Sequence, residues 1–136
     1  MLYDGSVSSD ALFREQLELG RKIESSMPAG TAFDTDRSRD RMIKVGYISP
    51  DFRKHSVSYF FEPIICHHDR REFHAVCYSN VQQPDSTTDR LRDLADDWRD
   101  ISGMNDDEVY RLIRSDGIDI LVDLAGLTHG NRLEVL

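Results

Sequence analysis

Cysteine is scarce, with only Cys66 and Cys77 in 136 residues. Neither belongs to a C-x-x-C pair or a metal-ligand spacing, which excludes a disulfide framework and a zinc ribbon; both read as reduced thiols in a core or on a helix face. Long apolar runs are missing as well. No stretch approaches the roughly 18 apolar residues of a membrane span, and the Met1 end lacks the basic region and apolar run of a secretory signal. The expected address is cytoplasmic, without a membrane partner. Positive charge is in deficit: 17 Lys and Arg against 25 Asp and Glu give −8. Nucleic-acid binding needs clustered cations that release counterions, and Arg53 with Lys54 is too small a cluster to supply them. Neither G-x-G-x-x-G nor a P-loop occurs. What remains is the composition of a globular protein, long enough for one ordinary domain and too short for two.

The patterning divides the chain. Residues 1–41 carry one amphipathic helix and a linker: Phe13, Leu17, Gly20, Ile23 and Met27 recur at helical steps, Pro28 and Gly30 end the run, and Thr31 to Asp40 is polar and aperiodic. From Met42 strands alternate with helices. Ile43, Val45, Tyr47 and Ile48 form a first strand halted at Pro50, followed by a polar loop. Val57 to Cys66 reads as a helix capped by Ser56, bent or late-starting because of Pro63. Phe73 to Ser79 is a second strand, Ser86 to Ala95 a helix, and Trp98 to Ile101 a short edge strand. Asn105 and Glu108 form a capping box for a helix carrying Val109, Leu112 and Ile113, and Gly117 sits where a left-handed cap is expected. Ile118 to Leu124 reads as a central strand buried on both faces, and a glycine-bearing turn leads into a further helix from Asn131. A chain stopping inside that helix reads as a piece of a longer protein.

Four such strands with right-handed crossovers predict an α/β, Rossmann-like parallel sheet in the order 3-2-1-4. Strands one and four are then neighbours. The loops at their carboxyl ends, Ser49 to His55 and Asp123 to Gly130, face each other where open α/β sheets bind ligands.

Those loops hold the candidate chemistry. His55 can take a proton from a hydroxyl nucleophile near neutral pH, although a loop histidine is equally at home on a surface. Asp51 and Asp123 can orient His55 or a substrate hydroxyl, or cap the next turn. Gly126 and Gly130 let backbone N–H groups approach a phosphate or sugar, and ordinary turn chemistry accounts for them as well. Cys66, His67 and His68 invite a metal reading, but adjacent side chains on a helix diverge, so no metal site is expected.

Three segments, K-V-G-Y-I-S-P-D-F-R-K-H-S-V-S, F-H-A-V-C-Y-S and D-G-I-D-I-L-V-D-L-A-G-L-T-H-G-N-R-L, resemble the amino-terminal catalytic lobe of the O-GlcNAc transferase and SPINDLY-like glycosyltransferases. The resemblance covers Met42 to Leu136 and rests on the D-F-x-x-H and D-L-x-G-x-T-x-G-x-R elements. It implies that residues 42–136 are one lobe of a GT-B enzyme, truncated at its carboxyl end. It further implies inverting, metal-independent and cofactor-free transfer of a sugar from UDP-GlcNAc or GDP-fucose to Ser or Thr hydroxyls of protein acceptors. By position, His55 matches the family's active-site histidine, proposed as a base. Thr128 matches a threonine of the active-site loop, and Asp123 and Gly126 belong to that motif. Catalytic roles are thus expected of His55 and Asp123, and substrate binding of Asp51, Gly126, Thr128 and Gly130. The implied partners are upstream tetratricopeptide repeats and a carboxyl-terminal lobe supplying most nucleotide contacts, without which this piece is expected to be inactive. The sequence departs from the family at Ser56, where proline is common, at Tyr59, where a second histidine is common, and at Leu127. Two competing readings are a non-enzymatic interaction module docking through the Val57 to Cys66 helix, and a small-nucleotide domain with its own UDP affinity.

Overall fold

The computed structural model describes residues 8–26, 38 and 40–136. The chain falls into two units, Met1–Phe33 and Asp34–Leu136. In the first, helix α1 spans Ser9–Ser26. The Ser8 hydroxyl accepts from the Ala11 amide at 3.2 Å, filling one of the free N–H valences that every helix start exposes. Glu18 and Lys22, one turn apart, pair on its surface at 3.1 Å. The helix end expected at Met27, Pro28 and Gly30, and the linker apart from Ser38 and Asp40, lie outside the described residues.

The second unit is a four-stranded parallel sheet. Its strands are β1 (Ile43–Ser49), β2 (Phe73–Ser79), β3 (Asp97–Asp100) and β4 (Ile120–Asp123), in the order β3-β2-β1-β4. The intervening helices are α2 (Ser56–Cys66), α3 (Ser86–Leu94) and α4 (Asp106–Asp116). Alternation along the strands sends side chains to two faces. Val45, Tyr47, Ala75 and Cys77 pack with Phe61 and Ile65 of α2 and Leu91 of α3. Ile48, Val76 and Tyr78 pack with Val109 and Ile113 of α4. Helices therefore cover both faces, which lets β1 and β2 be almost wholly apolar. Burial pushes the Cys77 thiol up, as suits a core cysteine, whereas Cys66 is exposed.

Local signals place the helix ends. Asn105 and Glu108 form the expected capping box, and Gly117 ends α4 at φ 67°. Asp85 with Thr88 makes a second box at the start of α3. Four expectations need correction. The cap of α2 is His55, not Ser56, and the helix starts on time and runs through Pro63, whose ring lies on the exposed side. β3 sits one residue earlier than expected, at Asp97–Asp100; Ile101 follows it wholly buried and donates its amide to the Ser79 carbonyl at 2.9 Å. β4 is shorter than its apolar run, Ile120–Asp123 only, with Ile120 exposed; among the described strands it pairs with β1. The α-helix expected from Asn131 is, within the described residues, a 3-10 turn, Leu133–Val135. The Asn131 side chain donates to the Thr128 carbonyl and accepts from the Leu133 amide, a local alternative to helix.

Two features hold β1 beside β4. Gly46 lies beneath side chains from both neighbours of β1: an added Cβ would lie 3.0 Å from Leu121 Cδ1 of β4 and 3.1 Å from Ile118 Cγ2, just before β4, and from Tyr78 Cε2 of β2. At the start of the pair, Arg41 grips Asp119 by two bonds of 2.6 Å, and Asp119 also accepts from the Lys44 amide at 2.9 Å. The Arg41 guanidinium, chiefly, holds the Asp119 carboxyl below its usual range.

Gly46→Ala is expected to cost about 1–3 kcal/mol by overpacking, read as a lower urea midpoint; an unchanged midpoint would show that Leu121 and Ile118 give way freely. Asp119→Asn is expected to lose about 1–2 kcal/mol near neutral pH. A carboxyl with a depressed folded pKa stabilises above its unfolded value and loses that contribution as pH falls through the folded one. The gap between wild type and Asp119→Asn should therefore be full above the ordinary 3.8 and close in more acid solution, as urea titrations across pH would measure.

Candidate active site

β1 and β4 end side by side. Ile48 pairs with Asp123, and the Leu124 amide donates to the Ile48 carbonyl at 3.1 Å. The two polar loops therefore start from adjacent strand ends and meet again at Pro50, where a Cβ added to Gly130 would stand 3.1 Å from the proline Cβ.

The first loop is anchored from below and closed by its own hydrogen bonds. Phe52 is wholly buried, its ring 4.9 Å from Phe61 and 5.4 Å from Trp98. The Ser49 hydroxyl accepts from the Asp51 amide at 3.0 Å, and the Ser58 hydroxyl faces the carbonyls of Asp51 and Arg53 at 2.9 and 2.6 Å. The Lys54 amide donates to Asp85 Oδ2 at 2.8 Å. Asp85 Oδ1 meanwhile accepts from the Thr87 and Thr88 amides, so one carboxylate ties the loop to the start of α3. The Lys54 amide is the chief reason that this carboxyl is held below its usual range.

His55 follows directly. Its Nδ1 accepts from the Val57 amide at 3.3 Å and stands 3.6 Å from Asp51 Oδ2, with the imidazole side chain 39% exposed. Asp51 Oδ1 faces Arg53 at 3.3 Å. The structure thus brings Asp51 and His55 together.

The second loop is knitted internally. Asp123 accepts from the Ala125 amide at 3.0 Å and the Gly126 amide at 2.6 Å, which is the turn-capping arrangement left open by the sequence. The Gly126 N–H, expected to approach a ligand, is thereby occupied. Gly126 keeps a left-handed φ of 56° and has open space where a side chain would stand. The Thr128 hydroxyl donates to the Ala125 carbonyl at 2.7 Å, and Leu127 and Thr128 are both exposed. Gly130, at φ 81°, owes its identity to that backbone turn and to Pro50.

Two further residues join the loops and were not assigned roles from sequence. The Asn80 amide donates to the Ser49 carbonyl at 2.9 Å, and its side chain donates to the Gly130 carbonyl at 3.0 Å. Arg132 reaches Asp106 at 2.6 Å, the Met104 carbonyl at 2.7 Å and Asn80 Oδ1 at 3.2 Å. The one hint was that Arg132 closes the D-L-x-G-x-T-x-G-x-R element. Elsewhere, His67 Nδ1 donates to the Pro63 carbonyl and His68 Nε2 meets the Tyr47 hydroxyl at 2.6 Å, so Cys66, His67 and His68 diverge. Among the described residues, no group of three or more His, Cys, Asp or Glu could hold a metal ion.

Residues 18–136 match the family described as Glycosyl transferase family 41. The chain belongs to that family. The match begins inside α1, upstream of the strands. Among family 41 relatives, the probable UDP-N-acetylglucosamine–peptide N-acetylglucosaminyltransferase SPINDLY of Solanum lycopersicum is 37% identical over 98% of this chain and 15% of that protein. Its Arabidopsis thaliana counterpart is 39% identical over the same shares. A solved structure of the Thermobaculum terrenum O-GlcNAc transferase mutant K341M superposes with a TM-score of 0.90 at 39% identity, covering 98% of this chain and 26% of that one. The family 41 chain is therefore an α/β lobe of the GT-B kind, spanning about 15% of the curated relatives' length.

If Asp85 clamps the His55 loop to α3, Asp85→Ala should speed hydrogen exchange at the Lys54 amide and at the first turn of α3 together. Exchange that rises in α3 alone would reduce Asp85 to a helix cap.

Proposed function

We propose that this chain is the amino-terminal catalytic lobe of a protein O-glycosyltransferase that moves N-acetylglucosamine from UDP-GlcNAc to Ser and Thr hydroxyls with inversion. The observation that carries the reading is the adjacency of β1 and β4, with His55 and Asp51 on the loop after one strand and Thr128 on the loop after the other, both at the carboxyl end of the sheet. The names of the relatives support UDP-GlcNAc as donor and peptides as acceptors, with GDP-fucose the alternative donor. In the transfer, the acceptor oxygen bonds to the anomeric carbon, the bond from that carbon to the diphosphate oxygen breaks, UDP leaves with the electron pair, and the hydroxyl proton is released in the end to solvent. His55 and the Asp123–Gly130 turn line the acceptor side. Nucleotide contacts come from a carboxyl-terminal lobe, tetratricopeptide repeats precede α1, and the parent acts in the cytoplasm.

The solvent side of α2 favours a second reading as a docking module, since Tyr59, Phe60 and Ile64 are 70, 76 and 51% exposed there. Incubating the full-length parent with a Ser/Thr peptide and either UDP-GlcNAc or GDP-fucose separates these readings. Transfer from UDP-GlcNAc is expected, with His55→Ala slowing it about 100-fold or more and the 136-residue chain neither turning over nor retaining UDP. Transfer from GDP-fucose alone would reassign the donor. A parent that transfers neither sugar would leave the docking module.

A further inference from the structure

His55 is the candidate of greatest chemical consequence, and its two ring nitrogens are not equivalent. A neutral imidazole carries one N–H, and the partner of one nitrogen decides what the other can do. Here Nδ1 is the N-cap of α2, lying 3.3 Å from the Val57 amide. That amide is one of the N–H groups that a helix start leaves without an intrahelical acceptor. Its hydrogen is fixed by the backbone, so Nδ1 can answer only with a lone pair. The competing arrangement, Nδ1–H donating to Asp51, is less well made: Asp51 Oδ2 is 3.6 Å away, beyond hydrogen-bond distance, and Oδ1 of the same carboxylate already faces the Arg53 guanidinium at 3.3 Å. An N–H on Nδ1 would also oppose the Val57 N–H, donor against donor, at the positive end of the helix.

Resting on the active-site reading above, we infer that His55 meets its ligand as a hydrogen-bond donor through Nε2–H, and not as the base that takes the acceptor's proton. In the neutral ring the cap holds the lone pair at Nδ1, so Nε2 carries the hydrogen. In the protonated ring Nε2 carries a hydrogen as well. Either form presents a donor to a ligand oxygen, and neither presents a lone pair at Nε2. No protein group among the described residues takes this N–H, and the exposure of the ring leaves it open to ligand. The chemical class recognised is an oxygen lone pair of the nucleotide sugar or of the acceptor.

Two measurements test the inference independently. In the 136-residue chain labelled with 15N-histidine, with His55 assigned by its loss in His55→Gln, the neutral ring should show an unprotonated Nδ1 and a protonated Nε2; the reverse pattern overturns the inference. In the full-length parent, His55→Gln keeps a donor near the position of Nε2 but cannot accept a proton, whereas His55→Ala keeps neither. Both lose the cap, so α2 is weakened alike, and matched melting temperatures confirm it. Gln is expected to stay within about 10-fold of wild type, while Ala loses about 100-fold or more, the scale for removing one aimed donor. Gln as inactive as Ala overturns the donor role. A parent with no sugar transfer at all would sink the proposed function, and the nitrogen shifts would still decide the tautomer.

Discussion

Everything at the candidate site depends on the parallel pairing of β1 with β4. Parallel neighbours cannot be joined by a tight turn, because the chain must return to the starting edge before running the same way again. Between Ser49 and Ile120 it builds α2, β2, α3, β3 and α4, and only then lays β4 against the free edge of β1. Contact between strands so far apart in sequence has a large closure entropy to overcome. The protein meets it at both ends of the pair. Arg41 and Lys44 hold Asp119 at the start, and Leu124 bonds Ile48 at the finish. In between, Gly46 offers no side chain to keep the strands' apolar face from Leu121.

Once the strand ends are adjacent, their loops are stiffened by groups whose hydrogen-bonding capacity is used in doing so. Asp123 gives both oxygens to its own turn, Asp85 gives its two to α3 and to Lys54, and Arg132 spends its guanidinium on the α4 start and on Asn80. Among the described residues of the two loops, the groups with capacity left over include the Nε2 side of His55, the hydroxyl lone pairs of Thr128 and the open space beside Gly126. A polar edge with this division of labour suits ligand binding, since the groups that aim are held by groups that do not themselves react.

The same division explains what the sequence disclosed. The strand order, the Asn105–Glu108 box and the αL glycine at 117 were legible because each rests on periodicity or on partners three or four residues apart. The Asn80–Arg132 bond joins positions 52 residues apart, and Lys54 finds Asp85 at a separation of 31; no local pattern encodes either. Ser56 was the natural choice of cap by residue type, but the chain enters α2 with His55 extended, at φ −148°, which places the imidazole where the cap belongs. For Asp51 and Asp123 residue type could not separate orienting from capping, and geometry divides them: Asp51 lies by His55, Asp123 serves its turn.

The cap on α2 also constrains how this lobe can have come to its chemistry. A base at Nε2 would need its proton at Nδ1, and that tautomer gives up the N-cap, a loss of about 1 kcal/mol of helix stability. Asp51 would have to close from 3.6 Å to recover it while releasing Arg53. A donor at Nε2 asks for none of this: the tautomer that stabilises the helix is the one that binds. Folding and chemistry thus agree on a single atom, and agreement of that kind is what keeps a side chain pre-set before any ligand arrives. The acceptor's proton must then leave by another route, so the base of the reaction is to be sought in the ligand, the solvent or the other lobe, and not in the imidazole of His55.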